Sequence, residues 1–125
     1  MRKIFPRQSS AADWEDSIEL KDDDHTPLWT AVPADLVVNM TVIPEKPRSD
    51  LEASINTNSG DGNGYLTPDV NGVVFISVPA SIMDDLAPDT YGVDRRFTVL
   101  VNYELTDDDT HTHGLEGVLS VYKGS

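Results

Sequence analysis

NGVVFISVPASIMDDLAPDTYGVDRRFTVLVNYEL, residues Asn71 to Leu105, decides the fold. Asn71-Gly72 is a hairpin-turn signal, because both residues tolerate positive φ. Val74, Ile76 and Val78 alternate with Val73, Phe75 and Ser77, which predicts a strand with one buried face. Pro79 ends it, since proline cannot donate to the ladder. Ser81 with Asp84 three residues on reads as an N-cap pair, predicting one helical turn over Ser81–Leu86. Ala87-Pro88-Asp89-Thr90 turns the chain back. Phe97, Val99, Val101, Tyr103 and Leu105 then share one face of a long strand. The stretch is a β-sandwich corner, and no catalytic residue is needed to explain it.

Outward from this corner the chain keeps to short strands and turns. Trp14, Ile18 and Leu20 share a parity and predict a first strand over Asp13–Lys21, with Asp16 its weak point. Pro27-Leu28-Trp29 is apolar enough to plug one end of a core. Leu36, Val38, Met40 and Val42 alternate with Val37, Asn39, Thr41 and Ile43, a strand that Pro44 stops. Leu51, Ala53 and Ile55 make a short edge strand. Asn56–Gly64, NTNSGDGNG, has the composition of a long flexible loop. Tyr65 and Leu66 add a short strand before Asn71-Gly72. Beyond Leu105, Asp107–Asp109, His111 and His113 form an elongated hairpin tip. Leu115, Gly117, Leu119 and Val121 then face one way in the last strand. Six or seven strands separated by turn signals suit an immunoglobulin-like sandwich.

The chain has 125 residues, enough for a two-layer core but not for two. It has no cysteine, so a disulfide framework, a thiolate metal site and a cysteine nucleophile are all excluded. No apolar run approaches membrane-spanning length and the N-terminus lacks a signal-peptide apolar region, so a soluble chain that does not leave by Sec export is expected. Charge is segregated. Arg2, Lys3 and Arg7 fall within the first twelve residues, which hold no acid; the other 113 carry 6 basic against 22 acidic side chains, a net of −16. Such a body is no partner for nucleic acid, whose binding needs a basic surface. The basic segment 1–12 reads as an arm beside a sandwich domain 13–125, and the expectation is that Arg2, Lys3, Ile4, Phe5 and Arg7 dock on an acidic neighbour, a frayed solvated terminus being the plain alternative.

Candidates for chemistry are few. Asp22-Asp23-Asp24-His25 and Asp107–Asp109 with His111 and His113 have metal-ligand residue types, and His-x-His on a strand sets both rings on one face. Consecutive aspartates fan outward, however, and neither run has the alternation or the glycine of a calcium loop; solvated turn charge is the reading taken. Asn56, Asn58, Asp61 and Asn63 could ligate calcium, but mobile loops have the same composition. There is no Gly-x-Ser-x-Gly elbow and no glycine-rich phosphate loop. No catalytic, cofactor or metal residue is therefore assigned, and no small-molecule substrate is expected. For Arg95-Arg96 the expectation is an ion pair with Asp94 or an acid on the next strand, a bulge letting both point outward; carboxylate recognition at an interface is the functional alternative.

If Val74, Ile76 and Val78 face inward, Val73 and Phe75 face out, as do Val37, Ile43, Leu100, Val118 and Tyr122. Monomers rarely expose that much apolar strand surface. Val73, Phe75, Arg95, Arg96 and Leu100 thus join the arm as candidate interface residues.

Gly72-Val73-Val74-Phe75-Ile76-Ser77-Val78-Pro79, Leu86-Ala87-Pro88-Asp89-Thr90-Tyr91-Gly92-Val93-Asp94 and Leu115-Glu116-Gly117-Val118-Leu119-Ser120-Val121 carry a likeness. The segment Gly72–Tyr122 resembles small tailed-phage virion proteins, including the N-terminal domain of phage baseplate upper proteins. Their pattern is a strand ending in proline, a helical turn, a Leu-x-Pro-Gly-x-Tyr-x-x-Asp corner, a strand, an acidic hairpin and Gly-x-Val/Leu-x-Val. Asp89 replaces the corner glycine, Asp94–Leu105 is longer than the usual strand, and the basic arm is extra. The resemblance implies an immunoglobulin-like sandwich, assembled in the host cytoplasm into a virion. It would join other virion proteins and copies of itself, at a baseplate, tail tip, fibre attachment or neck, or as capsid decoration. It implies no catalysis. A carbohydrate-binding module using Tyr65, Trp29 or Tyr122 with a loop calcium, and a small metalloenzyme using His111 and His113, are the competing classes.

Overall fold

A computed structural model describes residues 2–22, 24–45, 55–59, 64–88, 90–104 and 111–124, with backbone alone for 2 and 111–114. The chain forms the strands β1 (Arg2–Ile4), β2 (Gln8–Ser9), β3 (Trp14–Glu19), β4 (Val37–Pro44), β5 (Ile55–Asn58), β6 (Leu66–Pro68) and β7 (Val73–Val78), with burial alternating along β4 and β7. They are followed by the helix α1 (Ala80–Leu86) and the long strands β8 (Asp94–Glu104) and β9 (His111–Tyr122). The described residues are all-β apart from α1, in two sheets. The large sheet runs β1-β9-β8-β4-β5, with β2 also on β9; the small one runs β3-β7-β6.

Inward residues of both sheets make one core. Val38, Met40, Val42, Phe97, Val99, Val101, Leu119 and Val121 come from the large sheet, and Trp14, Ile18, Val74, Ile76 and Val78 from the small one, all buried. α1 closes one end with Met83 and Leu86. Trp29 plugs another side as expected: it is buried, its ring meets Tyr103 edge-on at 6.3 Å, and its Nε1–H donates to the Asp69 carbonyl at 2.7 Å.

The corner forms as its residues require. Asn71 and Gly72 take φ of 59° and 73°, closing the β6–β7 hairpin. Gly72 is also irreplaceable sterically, because a Cβ there would collide with the Leu20 carbonyl that the turn packs against. The helix cap differs from the expected Ser81/Asp84 pair. α1 starts at Ala80, whose N–H donates to Asp13 Oδ1 at 2.8 Å, so the capping carboxylate comes from a segment 67 residues away.

Other expectations are corrected. Asn56–Asn58, read as loop, belong to β5: pairing with β4 satisfies their backbone, and Thr57 turns inward and is buried. Ser59 completes that edge by accepting the Val38 N–H on Oγ at 3.0 Å. His111–His113, read as hairpin tip, belong to β9, with His111 opposite Tyr103. Arg95 and Arg96 sit in regular register, the shift in β8 falling between Val101 and Tyr103. The ladders are not all antiparallel, since β1 and β2 run parallel to β9. Leu51–Ala53 and Asp107–Asp109 lie outside the described residues.

Candidate functional site

The basic segment lies on its own chain. Ile4 stands opposite Val118 in register, the Phe5 N–H donates to the Val118 carbonyl at 3.0 Å, and the Ser10 N–H donates to Tyr122 at 3.0 Å. Phe5, expected at an interface, is 3 % exposed and belongs to the core. Its ring meets Trp14 edge-on at 5.4 Å and 86° and lies over Gly117, where an added Cβ would come within 2.6 Å of the ring. Burying one phenyl ring contributes about 1.5–3 kcal/mol, whereas ordering each residue costs about 1–2 kcal/mol. Phe5 therefore cannot hold the segment alone, and the ladder and two charged contacts must share the load.

Those contacts use Lys3 and Arg7. Lys3 Nζ donates to the Ser17 carbonyl at 2.7 Å, and its charge sits 5.2 Å from the Phe5 ring. Arg7 grips Asp94 with two bonds, Nε and Nη2 each 2.7 Å from a carboxylate oxygen, while its guanidinium lies 4.0 Å from the centre of the Tyr122 ring. The Arg7 hydrogen bonds hold the Asp94 carboxyl below the usual carboxylate range. Lys3 and Arg7 are thus engaged within the chain, and Arg7 finds on its own body the acid that the arm was expected to find in a neighbour.

The Lys3 contact also closes a sheet edge. β3 borders the small sheet, and Ser17 turns its backbone away from β7. Its carbonyl takes Lys3 and its N–H donates to Asp16 Oδ1 at 2.8 Å. Two charged side chains thus blunt an edge that could pair with another strand. Asp16, a misfit inside the expected strand, has this use; its other oxygen is buried with no partner among the described residues.

Arg95 and Arg96 separate. Arg95 reaches the Leu86 carbonyl at the end of α1, at 3.4 Å, and Arg96 approaches Glu45 at 3.7 Å, an acid just past the neighbouring strand β4. Asp94, the other expected partner, is taken by Arg7. Val73 is half-buried and Phe75 is 47 % exposed on the small sheet.

Pairing register gathers the outward apolar groups of the large sheet. Ile4 on β1, Val118 on β9, Thr98 on β8 and Ile43 on β4 stand side by side as one row across four strands. Ile4 is 80 % and Ile43 42 % exposed, while Val118 between its neighbours is buried. Leu100, 38 % exposed, sits in the adjoining row between Glu116 and Thr41. Tyr122 is shielded by Arg7. Ile43, Leu100, Val118 and Tyr122 were legible as outward; that Ile4 of the arm stands in the same row was not.

Of the metal candidates, Asp22 is engaged locally, while Asp23, Asp61, Asp107–Asp109 and the side chains of His111 and His113 lie outside the described residues. Asp22 Oδ1 accepts the N–H groups of Asp24 and Thr26 at 2.9 and 3.0 Å, closing its own turn. Among the described residues no three His, Asp or Glu side chains cluster as metal ligands. No family model matches the chain, and no curated protein matches it significantly.

Proposed function

We propose that this chain is a non-enzymatic structural subunit of a tailed-phage virion, an immunoglobulin-like adaptor or accessory protein that acts by protein–protein assembly. Three things support the reading. The first is the likeness of Gly72–Tyr122 to small virion proteins. The second is the architecture, two β-sheets packed on one core, which is the layering of a β-sandwich. The third, which carries the most weight, is that Ile4, Ile43 and Leu100 stand exposed on the outer face of the large sheet in two adjoining rows, apolar side chains that assembly would cover.

The mechanism is geometric. The sandwich is a rigid body, and these side chains give it apolar contact with other virion proteins. The arm contributes by presenting Ile4 on that face while Phe5, Lys3 and Arg7 lock it inward. Of the aromatics proposed for glycan binding, Trp29 is buried and Tyr122 lies under a guanidinium, so a stacking platform has lost two of its three residues.

The test is presence in particles. Virions purified by density gradient from a culture carrying the gene in its own genome should contain the chain at fixed stoichiometry by quantitative mass spectrometry. Finding it only in the soluble lysate, with intact particles lacking it, would overturn the reading.

A further inference from the structure

We infer that the arm is an exchangeable strand: residues 2–10 of one copy leave their own body and seat on a second copy, which returns its arm. The inference rests on the assembly reading and deepens it, by naming what joins neighbouring copies. The seat lies along one open side of the sandwich. The arm pairs with β9 at the border of the large sheet, and Lys3 Nζ reaches across to the Ser17 carbonyl at the border of the small one. One short segment therefore bridges both sheets, and its hold is shallow. The ladder is broken into Arg2–Ile4 and Gln8–Ser9, and Pro6 between them has no N–H to give. Lys3 and Arg7 bond through exposed side chains. Phe5 alone puts a large side chain into the core from this segment. The seam beneath is also incompletely satisfied. Trp14 Nε1, on the ring that Phe5 meets, and Asp16 Oδ2 are buried without a partner among the described residues, and both belong to β3. Such a segment opens before the body does.

The link between arm and body suits exchange. Ala11, Ala12 and Asp13 are exposed, and Asp13 is tied to α1 through the Ala80 N–H, which leaves Ala11 and Ala12 as the turning point. Their N–H groups bond back to Ser9, at 3.1 Å to Oγ and 3.4 Å to the carbonyl, so straightening the turn gives up local bonds. The arm's contacts with the body are remade on the partner. An open arm also leaves β9 a bare edge and uncovers Trp14, and a bare edge takes up another strand. The seat specifies which: an extended segment with a ring over Gly117, a cation at the Ser17 carbonyl and a second cation at Asp94. Residues 2–10 of another copy supply all three in the register already formed, Ile4 beside Val118 and Ser9 beside Tyr122. Charge selects the same occupant. Residues 1–12 carry three basic groups and no acid, and the other 113 carry 6 basic against 22 acidic, so every body attracts any copy's arm. Because exchange keeps the contacts, concentration sets the balance. A tethered arm meets its own seat at a millimolar effective concentration, a level that copies side by side in a particle reach and a dilute solution does not.

Disulfide trapping collects the exchanged minority in solution, and the chain has no cysteine of its own to interfere. Ile4 and Val118 are partners in register, and adjacent strands lie about 4.8 Å apart, within the span of a disulfide. Full chains carrying Ile4→Cys are mixed at submillimolar concentration with full chains carrying Val118→Cys, in a buffer of reduced and oxidised glutathione. The expected product is a linked pair of twice 13.7 kDa. It should be at least about tenfold more abundant than when Ile43→Cys replaces Val118→Cys, because only register partners are held together. Ile43 is exposed on the same face but three strands from Ile4, so copies that merely touch with closed arms would link there as readily. A second pair, Arg2→Cys with Glu116→Cys, is also in register and leaves Val118 intact, should its replacement disturb folding. Linkage from neither pair above the Ile43 control overturns the inference. Its failure is separable from that of the assembly reading. A chain present in particles that never links refutes exchange alone, whereas a chain that links but is absent from particles refutes the virion role and leaves exchange standing.

Discussion

The two sheets share one core and differ in what they show to water. The small sheet turns Glu15, Ser17 and Glu19 outward from β3, and Phe75 stands between Ser17 and Thr67 without an apolar neighbour in its row. The large sheet turns out Ile4, Ile43 and Leu100 in adjoining rows, with Arg7 paired to Asp94 and Arg96 to Glu45. The same alternation produces both. Which outward residues become a surface and which stay isolated is decided by register between strands far apart in sequence. The sheets also protect their edges differently. The small one caps Ser17 with charged side chains, and the large one covers β9 with the arm.

The strongest test of the shared core is Trp14, fully buried on the small sheet and touching Phe5 of the arm. Trp14→Ala should cost about 3–5 kcal/mol in urea or guanidinium unfolding, since the site cannot collapse around so large a void. Phe75→Ala, outward on the same sheet, should change stability by less than about 0.5 kcal/mol. Similar losses for the two would mean that the inward and outward faces have been misassigned.

The arm supplies the next effect. Phe5→Ala should cost about 3 kcal/mol. Gly117→Ala should cost about 1–3 kcal/mol, because its Cβ would meet the Phe5 ring at 2.6 Å and the Lys3 carbonyl at 3.0 Å. Since both changes act on one contact, the double variant should lose less than the sum of the two, a coupling readable in a double-mutant cycle. Strict additivity would mean that Phe5 does not rest on Gly117, and the arm would have to be placed elsewhere. Deleting residues 1–9 should destabilise the body at least as much as Phe5→Ala, where a purely accessory arm would leave it intact.

Much of this was legible along the chain. The period-two runs at Leu36–Val42, Val74–Val78 and Phe97–Tyr103 identified the core, because burial on one face forces alternation. Asn71-Gly72 marked its hairpin, because so few residues accept positive φ. What escaped reading depends on partners across space. β5 contains Asn56 and Asn58, whose composition speaks for a loop; β4 overrides it by supplying backbone bonds. The Asp13 cap of α1 has no local motif. Gly117, alone among inward apolar residues of β9, was the one available hint that another segment comes close, since glycine inside a strand marks such an approach. The arm has no period because only Phe5 points into the core, and its charges were read as seeking an acidic neighbour when Asp94 of the same chain takes Arg7.

The smallest effect separates the two charges at the arm's end. Asp94 is held below the usual carboxylate range by the Arg7 hydrogen bonds, so its contribution is complete above the unfolded value of about 3.9 and is lost as pH falls through the lower folded value. Arg7 stays charged across this range. Asp94→Asn should therefore lower the unfolding midpoint modestly at neutral pH, the pair being partly exposed, and the gap to wild type should close in acid, once both proteins lack the carboxylate. Arg7→Ala should behave differently. It removes the stacking on Tyr122 as well, at 4.0 Å, and that contact does not titrate in acid. Its gap to wild type should narrow as pH falls but persist below pH 3, and the residue left is the share of arm docking due to the ring. If the two gaps close together, Tyr122 contributes nothing and the ion pair alone holds this end of the arm to the large sheet.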